Sequence, residues 1–170
     1  MNVIYREASG CDAEALLHHI ECVGNETDNL SFGGNTFAIS KEKEARFIEK
    51  FKNSKTDVMF VALDEDKIVG NAIVERNKIS RYNHRAEISI TVLKEYWGHG
   101  IGSHLMEMMI EFAEKTDIEI LYLEVRADNQ RAISLYLKYG FDAIGVYKNF
   151  FKIDKKYYDA LLMNRKIKKT

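Results

Sequence analysis

The sequence contains no proline at all, so no helix in it is obliged to break. Its two cysteines, Cys11 and Cys22, fall in no CxxC spacing. That argues against a disulfide framework and for two free thiols in a reducing, cytoplasmic setting. Nowhere do about 18 apolar residues run together, and the opening MNVIYREASG lacks an apolar segment of signal-peptide length; export and membrane spanning are not expected. Neither sign of charge dominates, since 25 Lys and Arg face 26 Asp and Glu for a formal net charge of −1. Such a balance offers no electrostatic footprint for nucleic acid and none for an anionic membrane surface. The one biased stretch, Arg165-Lys166-Ile167-Lys168-Lys169, reads as a solvated end.

What is present is enough apolar material, 46% of 170 residues, to bury a sizeable core in one domain spanning residues 1–170. Val3–Glu7 reads as a strand. Asp12 is placed to cap a helix carrying Leu16, Leu17 and Ile20 at helical spacing. Gly24–Asn35 is polar and glycine-rich, a loop, and Ser40 then caps a second helix whose Ala45, Ile48 and Phe51 share a face. Two β-rich runs flank the polar turn Asp64–Lys67 as a hairpin. HRAEISITVL alternates Glu87, Ser89 and Thr91 against Ile88, Ile90 and Val92, the period of a strand with two unlike faces. A third helix carries Ile101, Leu105, Met108, Met109 and Phe112; Met106, Met108 and Met109 read as core filler rather than a cofactor box. IEILYLEV is a strand, Asn129 caps a fourth helix to about Tyr139, and two final strands follow. The order βααβββαβαββ makes an α/β domain, an α+β mixed sheet of about seven strands and four helices. The final strands leave edges that can pair two copies into a homodimer.

Between the strand ISITV and the third helix stands EYWGHGIGSH, with Gly98, Gly100 and Gly102 at alternate positions. Each glycine costs about 0.5–1 kcal/mol relative to alanine in an element, so the bare backbone has a use. A strand, a glycine turn and a helix N-terminus form an anion site, because the first helical N–H groups lack internal partners and sit at the positive end of the dipole. The turn has no lysine for a Walker A loop, and Ser103 stands where GxGxxG needs glycine. A tight strand-to-helix turn with no ligand remains as the plain structural alternative.

Trp97-Gly98-His99-Gly100-Ile101-Gly102 resembles the Q/R-x-x-G-x-G/A loop of the GCN5-related N-acetyltransferases, with Trp97 departing from the family's Gln or Arg. LEVRADNQRAISLYLKYGF resembles that family's later block, with Asn129, Ala132, Tyr136 and Gly140-Phe141 at the expected spacing, and LEVRADN is close to the ribosomal-protein alanine N-acetyltransferases. The resemblance spans about residues 86–141 well and the first 55 hardly at all. It implies an acyl-CoA N-acyltransferase fold and a cytoplasmic enzyme that moves an acetyl group from acetyl-CoA, with no metal, to a primary amine of a small molecule or a protein N-terminus by direct attack. It also implies that Ile90, Thr91, Val92, Trp97, Gly98, His99, Gly100, Ile101, Gly102, Ser103, Asn129, Ala132 and Tyr136 meet the cofactor. Tyr136 is then the acid that protonates the departing thiolate, and backbone N–H groups near Thr91–Val92, where parallel strands splay, hold the thioester carbonyl.

Each of these residues also has a plainer reading: a helix cap for Asn129, a core aromatic for Tyr136. Glu124 matches the alanine N-acetyltransferase position for a base and Glu87 the histone-type position; Glu124 is favoured. The plain alternative is an ion pair with Arg85 or Arg126. A lysine-like amine is neutral in roughly one molecule in 2,500 at pH 7 and an α-amine in roughly one in seven, so a side-chain amine leans harder on a base. Glu26 and Asp28, in the first loop, hint at a cationic acceptor. The acceptor is also expected to meet the aromatic run Tyr147, Phe150, Phe151, Tyr157 and Tyr158. Adjacent His18 and His19 point about 100° apart on a helix, wrong for shared metal ligation. The competing functions are a non-catalytic acyl-CoA-binding or regulatory module of the same fold, and a dinucleotide-dependent enzyme.

Overall fold

A computed structural model describes residues 2–33 and 39–168. Seven strands form one mixed sheet: β1 (Val3–Glu7), β2 (Val58–Asp64), β3 (Lys67–Arg76), β4 (Arg85–Val92), β5 (Ile120–Arg126), β6 (Asp142–Ile153) and β7 (Lys156–Lys166), in the spatial order β1-β2-β3-β4-β5-β7-β6. The helices are α1 (Ala13–Glu26), α2 (Lys41–Lys52), α3 (Ile101–Glu114) and α4 (Gln130–Lys138). One core cluster joins α1 and α2 to the sheet through Leu16, Ile48, Phe51, Met59, Val61 and Ile68. The other joins α3 and α4 through Ile101, Leu105, Met106, Met109, Leu121, Tyr136 and Phe141. Helices therefore cover both faces, which is why β2 is buried over nearly its whole length.

All but one of the neighbouring strand pairs are antiparallel; β4 and β5 run parallel. That parallel pair registers only from Arg85↔Ile120 to Glu87↔Tyr122. Beyond it β4 continues five residues to Val92 while β5 runs on to Arg126, so the two strands part and the sheet opens.

Several local features differ from the sequence reading. Asp12 does not cap α1 with its side chain. Its carboxylate instead takes both Arg6 guanidinium nitrogens at 2.7 Å and the Ser9 N–H at 2.8 Å, closing a short 3₁₀ turn before the helix. Helix α1 runs through Gly24 to Glu26, so the loop begins at Thr27; Gly34 and Asn35 lie outside the described residues. The buried stripe of α3 is centred on Met106, Met109 and Ala113, with Met108 and Phe112 only partly buried against it. In the basic C-terminal stretch Lys166 and Lys168 are exposed, but the backbone is anchored. Lys166 closes β7, and Ile167 is buried with its N–H on the Glu119 carbonyl at 2.8 Å; Lys169 lies outside the described residues. Strand β6 is the exposed sheet edge. No described helix is long and apolar enough to cross a membrane.

Candidate active site

Two cavities open at the β4–β5 gap. The first, about 400 Å³, is lined by Ile90, Thr91, Val92, Trp97, Gly98, Gly100, Ile101, Gly102, Ser103, Asn129 and Ala132 among others. The chain turns into α3 through Gly98 at φ +84° and Gly100 at φ +81°, left-handed conformations that favour glycine. A Cβ at either would meet nothing within 4 Å, so the backbone there is bare toward the cavity. Gly102 differs: a Cβ there would touch Leu135 at 3.5 Å and Val92 at 3.9 Å, because α3 packs closely on α4 and β4. Helix α3 starts with no side-chain cap, leaving its first N–H groups for an anion. His99 is the residue of the turn that does not line the cavity, and Tyr136 lines the second cavity instead.

Trp97 explains its departure from the family pattern. Its indole Nε1–H donates to the Val92 carbonyl at 2.8 Å, and the Arg131 guanidinium stacks over its ring at 4.6 Å. On β4 the Leu93 N–H bonds the Val69 carbonyl on the β3 side at 3.0 Å. Strand alternation therefore turns the N–H and C=O of Val92 to the other edge, where β5 has departed. The indole satisfies that carbonyl, and the Val92 N–H remains directed into the gap.

The second cavity is larger, about 920 Å³, and brings Glu87, Ser89, Glu124 and Tyr136 together with Leu17, Ile20, Ile73, Ile88, Phe150 and Phe151. Ile90, Thr91, Asn129, Ala132 and Leu135 line both cavities, so the two are continuous. Burial, then the neighbouring Glu124 and Glu75 carboxylates, push the Glu87 carboxyl up. The plain ion-pair alternative fails: Arg85 stacks on Tyr122 at 4.5 Å, and Arg126 grips Asp128 at 2.9 and 2.6 Å. Tyr136 is 7% exposed; burial raises its phenol to about 12, so the hydroxyl is protonated at neutral pH. No described residue hydrogen-bonds that hydroxyl. Asn129 fulfils its plain reading too, capping α4 by accepting from the Ala132 N–H at 3.2 Å.

Glu26 lines the first cavity, its carboxylate accepting from the Lys94 N–H at 2.8 Å, and Asp28 lines neither. Of the aromatic run, Phe150 and Phe151 reach the second cavity, while Tyr158 lies under the Arg126 guanidinium at 3.9 Å and Tyr147 and Tyr157 are exposed. Arg126 also donates to the Asp28 carbonyl at 3.0 Å, tying the end of β5 to the loop that carries Asn29 and Leu30 over both cavities.

One residue escaped the sequence reading. His19 is 1% exposed; its Nδ1 lies 3.0 Å from the Ile68 carbonyl and its Nε2 2.8 Å from Thr91 Oγ1. Burial lowers its pKa to about 4, so the ring is neutral. The carbonyl can only accept, which puts the proton on Nδ1 and makes the Thr91 hydroxyl the donor to Nε2. His19 thus fixes Thr91, which lines both cavities. Its helical spacing from Leu16 and Val23 was the one available signal. Among the described residues no group of three His, Cys, Asp or Glu is placed to hold a metal ion.

The fold and its forked sheet define an acyltransferase. The family model for Acetyltransferase (GNAT) family matches residues 27–141. The chain belongs to that family. It is 28% identical over 132 residues to the L-amino acid N-acetyltransferase AaaT of Escherichia coli, covering 77% of this chain and 82% of that protein. It is 36% identical over 75 residues to the [Ribosomal protein bS18]-alanine N-acetyltransferase of Escherichia coli, covering 44% of this chain and 51% of that one. Among solved structures, an acetyltransferase of the GNAT family from Streptococcus pneumoniae superposes with a TM-score of 0.94 at 31% identity over 98% of this chain and 100% of that one. The fold is shared with yncA of Salmonella typhimurium, solved with acetyl-CoA, at a TM-score of 0.87 and 16% identity over 100% and 96% of the two chains.

Proposed function

We propose that this chain works as one N-acetyltransferase domain that moves the acetyl group of acetyl-CoA directly to a primary amine. The observation that carries this reading is the meeting of two cavities at the opened β4–β5 edge, with Tyr136, Glu87 and Glu124 around the junction. The first cavity suits a diphosphate: bare backbone at Gly98 and Gly100, the uncapped start of α3, and Arg131 on Trp97. Ile101, Gly102 and Ser103 supply the first helical N–H groups, and the side-chain NH2 of Asn129, free of its capping bond, faces the pantetheine arm. Acetyl-CoA supplies an acetyl group activated as a thioester.

The protein's part is to position groups and move protons. The Val92 N–H donates to the thioester carbonyl oxygen and stabilises the charge that builds there. Glu87 and Glu124 attract the acceptor ammonium and take its proton, with the raised pKa of Glu87 bringing that carboxylate closer to working pH. Glu124 stands two residues beyond the last paired position of β5, inside the gap, and is the favoured base. Tyr136 donates its hydroxyl proton to the departing sulfur. An ordinary thiol titrates near 8.5, so transfer from a phenol at about 12 runs uphill by about 3.5 pH units, or about 5 kcal/mol. Tyr136 therefore gives its proton in step with one arriving from the amine, and never rests as a phenolate.

The test is acetyl transfer from acetyl-CoA across a diverse amine library, with Tyr136→Phe in parallel. Turnover that collapses in the variant while acetyl-CoA binding persists supports the reading. A normal rate in the variant removes the acid role, and tight acetyl-CoA binding with no transfer to any amine turns the protein into a non-catalytic acyl-CoA-binding module.

A further inference from the structure

The walls of the acceptor cavity are not uniform in charge. Its carboxylates Glu87 and Glu124 stand on β4 and β5, whereas Lys43, Arg46 and Lys50 of α2 line it as well. Positions 43, 46 and 50 fall on one face of a helix. Glu49 is turned to the Gly10 N–H, accepting from it at 2.7 Å; Glu42 does not line the cavity, though its carboxylate feels the Arg46 charge. Lys41 faces α1 and is paired with Glu14 at 2.6 Å. By contrast, no ion pair among the described residues takes Lys43, Arg46 or Lys50; Arg46 donates only to the Glu42 carbonyl at 3.2 Å. Residues 34–38 contain no acid that could pair them. Glu44 shares the wall; it is buried, which pushes its carboxyl up, and it makes no ion pair with the three cations among the described residues. The rest of the lining is largely apolar and includes Leu17, Ile20, Ile73, Phe47, Phe150 and Phe151.

Three cations with no direct ion pair among the described residues, facing an apolar cavity, disfavour a ligand that brings only a cation, because the amine would be repelled on entry. It suits one that ends in an anion. We infer that the acceptor is an amphipathic amino acid-like molecule: an amine directed to Glu87 and Glu124, an apolar body, and a carboxylate or similar anion docked on Lys43, Arg46 and Lys50. This rests on the acetyl-transfer reading of the site. The cofactor cavity includes none of the three cations, so they are not needed to hold the carrier.

Calorimetry on the protein saturated with CoA tests the inference without turnover. Matched ligands differ only in the acid: 6-aminohexanoate against hexylamine, 8-aminooctanoate against octylamine, phenylalanine against phenethylamine. In about 20 mM salt, the acid-bearing member of at least one pair binds about tenfold more tightly, and about 0.5 M salt erases the difference. The triple variant Lys43→Gln/Arg46→Gln/Lys50→Gln, all exposed positions, loses the preference while the plain amines and CoA stay within about twofold. Equal affinity within every pair, or equal weakening of both members in the variant, overturns the inference. Acetylation assays on the same pairs separate the two claims. Acid-selective binding without transfer keeps the inference and defeats the proposed reaction; transfer to amines with no acid preference does the reverse.

Discussion

The two halves of the site sit side by side on one sheet edge, yet they are built from different material. The cofactor side is the more local in sequence: within residues 90–103 the chain forms a strand, a bare turn and a helix start, residues 129–135 close the wall, and only the stretch from Val23 to Leu30 comes from elsewhere. The acceptor side is assembled from α1, the loop after it, α2, β3, β4, β5, α4 and β6. A local device depends on backbone conformation and survives changes elsewhere. An assembled cavity depends on how remote elements dock, and its chemistry is set by whichever side chains happen to face inward. The family model itself ends at residue 141, before β6 brings Phe150 and Phe151 to the acceptor cavity.

The junction between the halves is where the comparison can be broken most severely. His19 is neutral when buried, with a pKa of about 4 against an ordinary 6.5. Between those values the unfolded chain binds more protons than the folded one, so stability falls as the pH drops. The full difference is about 3 kcal/mol, present above pH 6.5 and lost by pH 4. Chemical denaturation across that range should show the slope, and His19→Gln, which can also donate and accept, should flatten it. A wild-type stability that stays level from pH 6.5 to 4 would mean that the ring is not held as described, and Thr91 with it.

Next in size is Tyr136→Phe, which keeps the ring that packs near Phe141 and removes only the hydroxyl. We expect kcat to fall about 100-fold with the KM for acetyl-CoA within about twofold. Comparable losses in kcat and in acetyl-CoA affinity would place the hydroxyl on the cofactor side of the divide.

The same divide decides what could be read from the chain. Glycine alternation, the Asn129 cap and the spacing to Tyr136 are short-range patterns, so the mixed sheet and the bare turn beside the first cavity were legible. The hairpin at Glu65-Asp66 and the α2 cap at Ser40, whose hydroxyl accepts from the Lys43 N–H, were legible for the same reason. Glu87 and Glu124 were placed on one cleft because strand alternation and adjacency suffice for that. Glu26 and Asp28 read as one loop, but Glu26 ends α1 and lines the first cavity while Asp28 lines neither. Nothing local in the chain marks Lys43, Arg46 and Lys50; only the docking of α2 shows that they look into a cavity. His19 was hidden likewise, since its partners Ile68 and Thr91 are 49 and 72 residues away.

Two glycines sharpen the local half. Gly100→Ala places a Cβ in open space but at φ +81°, a conformation costing an L-residue about 1–2 kcal/mol. If α3 relaxes to relieve it, the uncapped N–H groups move and acetyl-CoA binds about tenfold more weakly. Gly102→Ala sits in helical backbone with an ordinary 3.5 Å contact to Leu135, so its stability and CoA affinity should change little. Isothermal titration of both variants reads the difference; equal effects would mean that the turn conformation is irrelevant to binding.

The smallest effect concerns Trp97 and Arg131. The family's Gln or Arg is missing at position 97, but the guanidinium is restored from α4, held over the indole that also caps the Val92 carbonyl. Arg131 is exposed and makes no ion pair among the described residues, so its charge is worth about 1 kcal/mol at most to an anionic ligand. Arg131→Gln should therefore weaken acetyl-CoA about fivefold, and the loss should shrink as salt rises. Trp97→Phe keeps the stacking platform but gives up the indole N–H, leaving the Val92 carbonyl unpaired next to the N–H that faces the thioester. That variant should lower kcat more than affinity. If instead both substitutions cost affinity alone, Trp97 serves only as a shelf for Arg131, and the Val92 peptide is held by the strand without its help.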